Sequence, residues 1–279
     1  MFRISVIIPT FNRAHSLPRA LHSVLNQTLP PEELIVVDDG SNDNTEALIR
    51  ETFPQVRYIR QVQQGVSAAR NRGIEMAQGD WIALLDSDDE WLPSKLEHQV
   101  QLLKKNPEYK VCHTEEIWIR NGVRVNQMNK HKKVGGWIYQ QCLPLCAMSP
   151  SSIVLHKSLL EDVGNFKEEL PACEDYDLWL RICARYPVLY IEQPCIKKYG
   201  GHEDQLSQKH WGMDRFRIQA LANMLDMNVL NENDEQATRK MLKKKINIFL
   251  KGARKHGNDE AVAYYSDVLS RFQLGGKLR

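Results

Sequence analysis

Four carboxylates crowd into five residues of this sequence, directly after an apolar segment. The stretch WIALLDSDDEW (81–91) places Asp86, Asp88, Asp89 and Glu90 behind residues with the pattern of a buried strand. At an effective dielectric of about 20, two like charges roughly 4 Å apart repel by about 4 kcal/mol, so the cluster requires water, a proton or a cation. A divalent cation held by Asp86, Asp88 and phosphate oxygens would offset this repulsion. The alternative is a solvated acidic loop in which Asp89 caps the next helix.

Two further polar clusters also follow predicted strands. Short apolar segments alternate with helical patterns over the first hundred residues, which predicts strands joined by helices in a mostly parallel sheet. The predicted strands cover residues 4–8, 34–37, 56–59 and 81–85. The helices between them begin after Ser16, after Asp43 or Asn44, and at about residue 67, and the first two starts carry capping residue types.

A parallel sheet places its ligands at the carboxyl ends of its strands. The first strand ends in Pro9, Thr10, Phe11, Asn12 and Arg13, the second in Asp38 and Asp39, and the fourth in the acidic cluster described above. We therefore expect all three clusters to line one cleft. No GxGxxG motif follows the first strand, which argues against a dinucleotide-dependent oxidoreductase.

The second half of the sequence is less regular. Residues 111–119 and 151–155 have strand patterns, and residues 120–150 between them read as a long polar loop. Residues 173–186 (CEDYDLWLRICARY) predict a helix with acidic residues in its first turn, where the helix dipole favours them. From about residue 205 onward the pattern is helical.

Composition excludes some classes of protein. The 279 residues carry a formal net charge of +2, which argues against a dedicated nucleic-acid binder. The six cysteines show neither a CxxC pair nor zinc-site spacing, so reduced thiols in a cytoplasmic protein are expected. The apolar run near the start is too short for a signal peptide or a membrane span, and no later segment is long enough to span a membrane.

Five motifs carry a resemblance to a known family. In order they are SVIIPTFNR, VVDDGSNDNT, GVSAARNRG, LLDSDDEW and EDYDLWLR. Together they resemble the family 2 glycosyltransferases, which have an inverting mechanism and a GT-A fold, a Rossmann-like sheet flanked by helices. The resemblance covers roughly residues 2–205. It implies a nucleotide-binding half over about 1–107, an acceptor half over about 108–205, and a helical extension over 206–279.

The resemblance also assigns residues to the donor, a nucleotide-diphospho-sugar. Asp88 is the expected direct ligand of Mn²⁺ or Mg²⁺, and Asp86 is expected on the ribose or on the metal through water. Asp38 and Asp39 are assigned to the nucleoside, although a turn with a helix cap would also explain them. The expected donor site further includes Pro9 and Asn12, with Thr10 and Phe11 walling the base and Arg13 and Arg70 facing the diphosphate.

The acceptor side is assigned in the same way. Asp175 matches the general base that removes a proton from the acceptor hydroxyl, so that one displacement inverts the anomeric centre. Glu174 and Trp179 are candidate acceptor contacts, although Trp179 equally fits a core position. His202 is a candidate metal or diphosphate ligand, and an ordinary surface histidine is the alternative. The QxxRW signature of processive members is missing, which favours addition of a single sugar.

Residues 236–256 form a basic amphipathic segment. They contain eight Lys or Arg and no acid, with an apolar stripe that includes Leu242, Ile246 and Leu250. Such a helix can lie on an anionic membrane surface, in this case on the inner face of the cell membrane where lipid-linked acceptors reside. The alternative is that the stripe packs on its own domain.

The sequence thus predicts a metal-dependent glycosyltransferase of cell-surface polysaccharide synthesis. It would move one sugar, most simply from a UDP-sugar, to a glycan or lipid-linked acceptor. A sugar-phosphate nucleotidyltransferase is the first alternative, although its usual Gly-rich phosphate loop is replaced here by PTFNR. A non-catalytic nucleotide-sugar binding module and a metal-dependent glycosidase are the others. Oligomeric state is open.

Overall fold

The computed structural model describes residues 2–201 and 212–273, which form a nine-stranded sheet with helices on both faces. The strands are β1 (Ile4–Thr10), β2 (Glu33–Asp38), β3 (Arg57–Arg60), β4 (Trp81–Leu84), β5 (Glu90–Trp91), β6 (Val111–Arg120), β7 (Val123–Val125), β8 (Val154–His156) and β9 (Leu189–Gly200). The helices are α1 (Leu17–Leu25), α2 (Thr45–Thr52), α3 (Val66–Met76), α4 (Lys95–Lys105), α5 (Tyr139–Cys142), α6 (Lys157–Val163), α7 (Glu174–Cys183), α8 (Asp214–Asp226), α9 (Glu232–Lys255) and α10 (Asp259–Arg271). Short 3₁₀ turns cover Asn129–His131 and Pro150–Ser152.

The first half of the sheet is parallel, as the alternating pattern predicted. Its strands lie in the order β3, β2, β1, β4, and every neighbouring pair is parallel. Successive residues of β1 alternate between two cores because side chains of a strand point to opposite faces. Ile7 belongs to the core covered by α3 and the later helices, whereas Val6 and Ile8 belong to the core covered by α1, α2 and α4. The predicted fold class is therefore confirmed.

The second half of the sheet is mixed. Strand β8 is antiparallel to β4 and to β6, whereas the long strand β9 runs parallel to β6 and antiparallel to β5. The pairing of β6 with β9 shifts register twice, around Glu115. Pro194 pairs with Glu115 at this irregularity, and a proline cannot donate to the ladder. The sequence LYIEQPCIKKYG, with this proline and several polar residues, gave no strand signal.

The segment 120–150 is only partly the irregular loop that the sequence predicted. Its first residues form a tight hairpin in which β7 pairs antiparallel with the end of β6. Asn121 and Gly122 both have positive φ, 49° and 77°, which the mirror-image turn of a two-residue hairpin requires. An Asn-Gly pair flanked by apolar residues was the available signal for this hairpin.

Helix α3 lies unusually close to β1. A Cβ atom added to Gly73 would come within 2.4 Å of Ile7 Cγ2, a distance that real contacts do not reach. The residue must therefore be glycine for the helix to rest at this height above the sheet.

The C-terminal helices α8, α9 and α10 pack onto the core shared with α7. Leu242, Ile246 and Leu250 are at most 2% exposed, so the apolar stripe of the basic segment faces its own protein. Lys245 reinforces this contact by donating to Pro144 O and to Asp214 Oδ1, both at 3.0 Å. The stripe is therefore not available to a membrane, and the second of the two expectations holds. Within the part of the chain that the structure describes, no helix combines the length and apolar character that a membrane span requires.

The two predicted helix caps have different outcomes. Ser16 precedes α1, but its side chain makes no capping hydrogen bond, and its buried hydroxyl has no partner among the described residues. At α2 the side chain of Asp43 accepts from the backbone N–H of Thr45 at 3.0 Å.

Candidate active site

A cavity of about 420 Å³ opens at the carboxyl ends of β1, β2 and β4, where the three polar clusters were expected to meet. Its walls include Pro9, Thr10, Phe11, Arg13, Asp39, Arg70, Asp86, Asp88, Glu174 and Asp175. The strand register explains the meeting, because Thr10 at the end of β1 pairs with Asp38 at the end of β2. Asp38 and two other expected residues, Asn12 and Trp179, lie outside this lining.

Asp38 lies beneath the cleft. It is fully buried, and its carboxylate accepts from the backbone N–H of Ser41 at 2.7 Å and from the hydroxyl of Tyr58. Its oxygens therefore hold the turn after β2, as the turn alternative proposed, and Asp38 is not part of the cleft lining. Tyr58 is affected in return, because burial and the hydrogen bond to Asp38 raise the pKa of its phenol.

Asp39 is the member of the pair that faces the cleft. Its Oδ1 accepts from the side chain of Gln61 and from the backbone N–H of Gln64, and its Oδ2 accepts from the N–H of Gly65, all at 2.8 Å. The carboxylate is thus fixed by neutral donors in front of α3.

Asn12 joins two loops. Its N–H donates to the hydroxyl of Ser41 at 2.8 Å, and its side-chain oxygen accepts from the N–H of Asn42 at 2.9 Å. Its φ of 53° places it in the left-handed region, which asparagine tolerates better than most residues. Asn12 therefore supports the wall of the cleft from outside, and its neighbours Phe11 and Arg13 form part of the wall itself.

Arg70 lines the cleft but its guanidinium is committed to carboxylates. Nη1 donates to Glu174 Oε1 at 2.6 Å and Nη2 donates to Asp86 Oδ1 at 2.8 Å, with the side chain only 4% exposed. Although burial alone would lower it, the charges of Asp86 and Glu174 raise the pKa of Arg70. The fork expected for a diphosphate therefore clamps the acidic loop to the start of α7. Arg72 points outward and pairs with Glu75.

The same clamp accounts for Glu174. Its side chain lines the cleft but is only 8% exposed, and it forms an ion pair with Arg70 that fixes α7. Burial and the charge of Asp175 raise the pKa of Glu174, and Arg70 opposes that rise.

The acidic loop divides its carboxylates between the cleft and the interior. Asp86 and Asp88 line the cleft, whereas Asp89 is 1% exposed and accepts from the hydroxyl of Ser151 at 2.6 Å and from the N–H of Tyr199 at 3.0 Å. Burial and the nearby Asp88 raise the pKa of Asp89 well above its usual range. Asp89 therefore anchors the loop to β9 and does not cap α4, whose N-cap residue is Ser94.

The side chains around the acidic loop offer few ligands for a metal ion. Among the described residues, no group of three or more His, Cys, Asp or Glu side chains is arranged to hold an ion. Asp86 and Asp88 alone fit a different mode, in which Mg²⁺ or Mn²⁺ takes one or two carboxylates and completes its shell with substrate phosphates and water. His202, the third expected ligand, lies outside the described residues.

Asp175 stands in the first turn of α7, at the cleft. Cys173 before it adopts a left-handed conformation with φ of 62°, which turns the chain into the helix. The Cys146 thiol lies 3.1 Å from Asp175 Oδ2 and donates to it, and the N–H of Tyr176 lies 2.6 Å from Oδ1. Burial and the charge of Asp175 raise the pKa of Cys146 well above its usual range, so the thiol keeps its proton.

Trp179 lies in the core and not in the cleft. It is 0% exposed and packs edge-on against Phe166, with ring centroids 6.3 Å apart. The position four residues after Asp175 faces inward because α7 is buried on nearly every side. The core alternative for Trp179 therefore holds.

Three residues of the site were not identified from the sequence. Cys146 contacts Asp175 as described, and Lys198 and Tyr199 from the end of β9 line the cleft. Lys198 and Tyr199 precede the glycines of KYGGH, where only His202 had been considered. Without β9 in the predicted sheet, nothing placed these two residues near the acidic loop.

An α/β sheet with carboxylates from two strand ends and one helix around a single cleft is the arrangement of GT-A glycosyltransferases. Residues 5–151 match the family model Glycosyl transferase family 2, and the chain belongs to this family. The crystal structure of S. aureus TarS 1–349 in complex with UDP-GlcNAc superposes with a TM-score of 0.69 at 20% identity, covering 91% of this chain and 74% of that one. The expected family and its GT-A fold are therefore confirmed.

Two relatives locate the chain further within the family. An uncharacterized glycosyltransferase of Rickettsia conorii is 32% identical over 213 residues, which cover 74% of this chain and 35% of the relative. The chain thus spans about a third of that protein's length. WfgD of Escherichia coli, a UDP-Glc:alpha-D-GlcNAc-diphosphoundecaprenol beta-1,3-glucosyltransferase, is 33% identical over 183 residues, which cover 65% of this chain and 70% of WfgD.

Proposed function

We propose that the protein is an inverting, metal-dependent glycosyltransferase that moves one sugar from a UDP-sugar to a hydroxyl of a lipid-linked or glycan acceptor. The observation that carries the proposal is the shared cleft. Asp86, Asp88 and Asp175 all line it, so a metal-bound diphosphate and an acceptor hydroxyl can meet there. The site works in the cytoplasm, where UDP-sugars are available, on the inner face of the cell membrane.

The donor enters between the ends of β1 and β2. Phe11 offers an apolar wall for the base, and Asp39 presents a carboxylate that its three neutral donors hold in place. The hydroxyl of Thr10 is buried and has no partner among the described residues, so it can bond to the nucleoside. Arg13 lies on the same wall, toward the diphosphate.

Asp175 acts as the general base. It accepts the proton of the acceptor hydroxyl while that oxygen attacks the anomeric carbon from the face opposite the departing UDP. Arg70 and Glu174 fix the first turn of α7 relative to the acidic loop, and this sets the separation between base and diphosphate. The Cys146 thiol donates to Oδ2 and the N–H of Tyr176 donates to Oδ1, so both oxygens are oriented, and each keeps a lone pair that can accept the proton of the acceptor hydroxyl.

Asp88 and Asp86 are the residues that would hold Mn²⁺ or Mg²⁺. The ion would supply positive charge to the diphosphate as it leaves. Asp86 Oδ1 accepts a hydrogen bond from Arg70, so Oδ2 is the oxygen that would bind the ion or the ribose. We expect EDTA to abolish transfer and Mn²⁺ to restore it.

The acceptor class is taken from the relatives. WfgD is named for a GlcNAc-diphosphoundecaprenol acceptor, and TarS binds UDP-GlcNAc in its crystal structure. A diphosphate-linked GlcNAc lipid is therefore the first acceptor to test, with UDP-glucose and UDP-GlcNAc as the first donors.

The test begins with a thermal-shift screen of nucleotide-sugars in Mn²⁺, followed by a transfer assay with the stabilising donor. Asp175→Asn should lower transfer by about 10²–10⁴-fold, the usual contribution of a general base, and leave donor affinity unchanged. A β-linked product from an α-linked UDP-sugar supports inversion. Unchanged transfer by Asp175→Asn would contradict the proposal, and release of pyrophosphate from UTP and a sugar phosphate would support a nucleotidyltransferase instead.

A further inference from the structure

Lys198 is a cation in the cleft lining to which the described part of the chain offers no direct partner. Its neighbour Lys197 binds Glu90 on the other face of β9, at 2.9 Å, because successive side chains of a strand point to opposite faces. The side chain of Lys198 enters the cleft lining beside Asp86 and Asp89. Within residues 2–201 and 212–273 its ammonium forms neither a hydrogen bond nor an ion pair.

The acids around Lys198 all have other partners. Glu116 accepts from Ser149 at 2.6 Å and pairs with Lys133 at 3.4 Å. Asp86 is held by Arg70, and Asp89 is held by Ser151 and by a backbone N–H. These carboxylates keep the ammonium charged, since Glu116, Asp89 and Asp86 together outweigh burial and raise the pKa of Lys198.

The ammonium therefore keeps its N–H donors for solvent or for a ligand that enters the cleft. Its three N–H donors suit an oxyanion, and phosphate is the oxyanion that the reaction brings into this cleft. Arg70 is less suited to this role because each of its terminal nitrogens already donates to a carboxylate and its side chain is only 4% exposed.

We propose that Lys198 forms a subsite for a phosphate oxyanion of a substrate, between the acidic loop and Asp175. This inference rests on the proposed function. The phosphate has two sources, the diphosphate of the donor and the diphosphate that links the acceptor to its lipid. Both would be drawn to the same ammonium, and the experiment separates them.

The variants are Lys198→Met, which keeps the length of the side chain without its charge, and Lys198→Arg, which keeps the charge. Lys197→Met is the matched control, since it removes the neighbouring cation on the other face of the strand. Melting temperatures establish that each variant folds. Affinities for uridine and UDP are measured by calorimetry in Mn²⁺, and acceptor KM is measured for GlcNAc with and without a lipid diphosphate.

If the donor supplies the phosphate, Lys198→Met weakens UDP binding at least tenfold, leaves uridine binding unchanged, and Lys198→Arg recovers most of the loss. If the acceptor supplies it, UDP binding is unchanged and KM rises at least tenfold only for the diphosphate-linked acceptor. Changes within twofold in all of these measurements, or equal losses in Lys197→Met, would overturn the inference.

Failure of the proposed function gives a different result. In that case the wild-type protein neither binds UDP nor transfers sugar. Inorganic pyrophosphate titrated into the wild type and Lys198→Met then decides the inference alone, since weaker binding by the variant supports the subsite and equal binding overturns it.

Discussion

The two halves of the sheet stabilise their buried charges in different ways. In the first half, around β1 to β4, two buried charged groups have neutral partners: Asp38 is held by Ser41 and Tyr58, and Lys95 by Gln99 and the ring of Trp91. In the second half, around β6 to β9, two buried acids are paired with opposite charges. Asp177 binds Arg181 at 2.8 Å, and Glu116 pairs with Lys133.

The contrast is reflected in the pKa values. Burial lowers the pKa of Lys95 to about 7, because no carboxylate counters it. Burial would likewise raise that of Glu116, but Lys133 and Lys198 outweigh it and lower the pKa to about 2. Removing one member of a buried ion pair leaves an uncompensated charge, whereas removing a neutral donor costs one hydrogen bond. The stability of the second half should therefore be the more sensitive to single substitutions.

The largest effect is expected at Arg181. Its guanidinium binds Asp177 and also donates to the carbonyls of Val163, Gly164 and Asn165. Arg181→Met should lower the free energy of unfolding by about 5 kcal/mol, measured by urea denaturation. Arg185→Met is the control, because its pair with Asp162 is exposed and should contribute less than about 1 kcal/mol. Similar losses in the two variants would contradict the comparison.

Arg70 comes next, since it joins the two halves. Arg70→Met leaves Glu174 buried and unpaired, and should cost about 3 kcal/mol. Adding Glu174→Gln removes the uncompensated charge, so the double variant should recover at least about 1 kcal/mol relative to Arg70→Met. If the double variant lost more free energy of unfolding than the sum of the losses in the two single variants, the ion pair would not be the interaction that is lost.

Lys95 gives a pH dependence in place of a fixed loss. Its pKa is near 7 in the folded protein and 10.5 when unfolded, so the unfolded state binds the extra proton between these values. Wild-type stability from this group therefore rises with pH over this window, by at most about 1.4 kcal/mol per pH unit, and is flat below it. Denaturation of Lys95→Met from pH 6 to 10 should lack this slope, whereas Lys105→Met, on the exposed side of the helix, should retain it.

The smallest effect is expected at Tyr58. Tyr58→Phe removes one neutral donor from Asp38 and should cost about 1 kcal/mol, with the N–H of Ser41 still in place. Tyr186→Phe provides the comparison, because its hydroxyl binds Asp162 at the surface. A loss of stability at Tyr58 as large as that at Arg70 would mean that the first half of the sheet is no more tolerant of substitution than the second.

The two halves of the sheet also differ in how far the sequence could predict them. Strands β1, β2 and β4 are largely apolar, and helix signals separate all four strands, so the parallel pairing and the meeting of the strand ends followed from the pattern. Strand β9 contains Pro194 and polar residues, and it could be placed only by its pairing with β6. Lys198 and Tyr199 were missed with it.

Pairings between distant residues explain the remaining differences at the site. Arg70 and Glu174 lie 104 positions apart, and no local pattern shows that they bind each other instead of substrate. Asp38 and Asp39 are adjacent and identical in type, so the direction of each side chain depended on the turn after β2. Asp175 was placed at the cleft correctly, but its contact with Cys146 came from a loop without regular spacing.

Gly73 controls more than one contact. Arg70 lies three residues earlier on the same helix, and the helix rests on Ile7 through the single hydrogen atom that glycine carries in place of a side chain. A methyl group here would act as a wedge and lift the whole helix. The clamp on Asp86 and Glu174 would then open although no charged residue had changed. The geometry of the cleft therefore depends on the absence of one carbon atom at a position outside its lining.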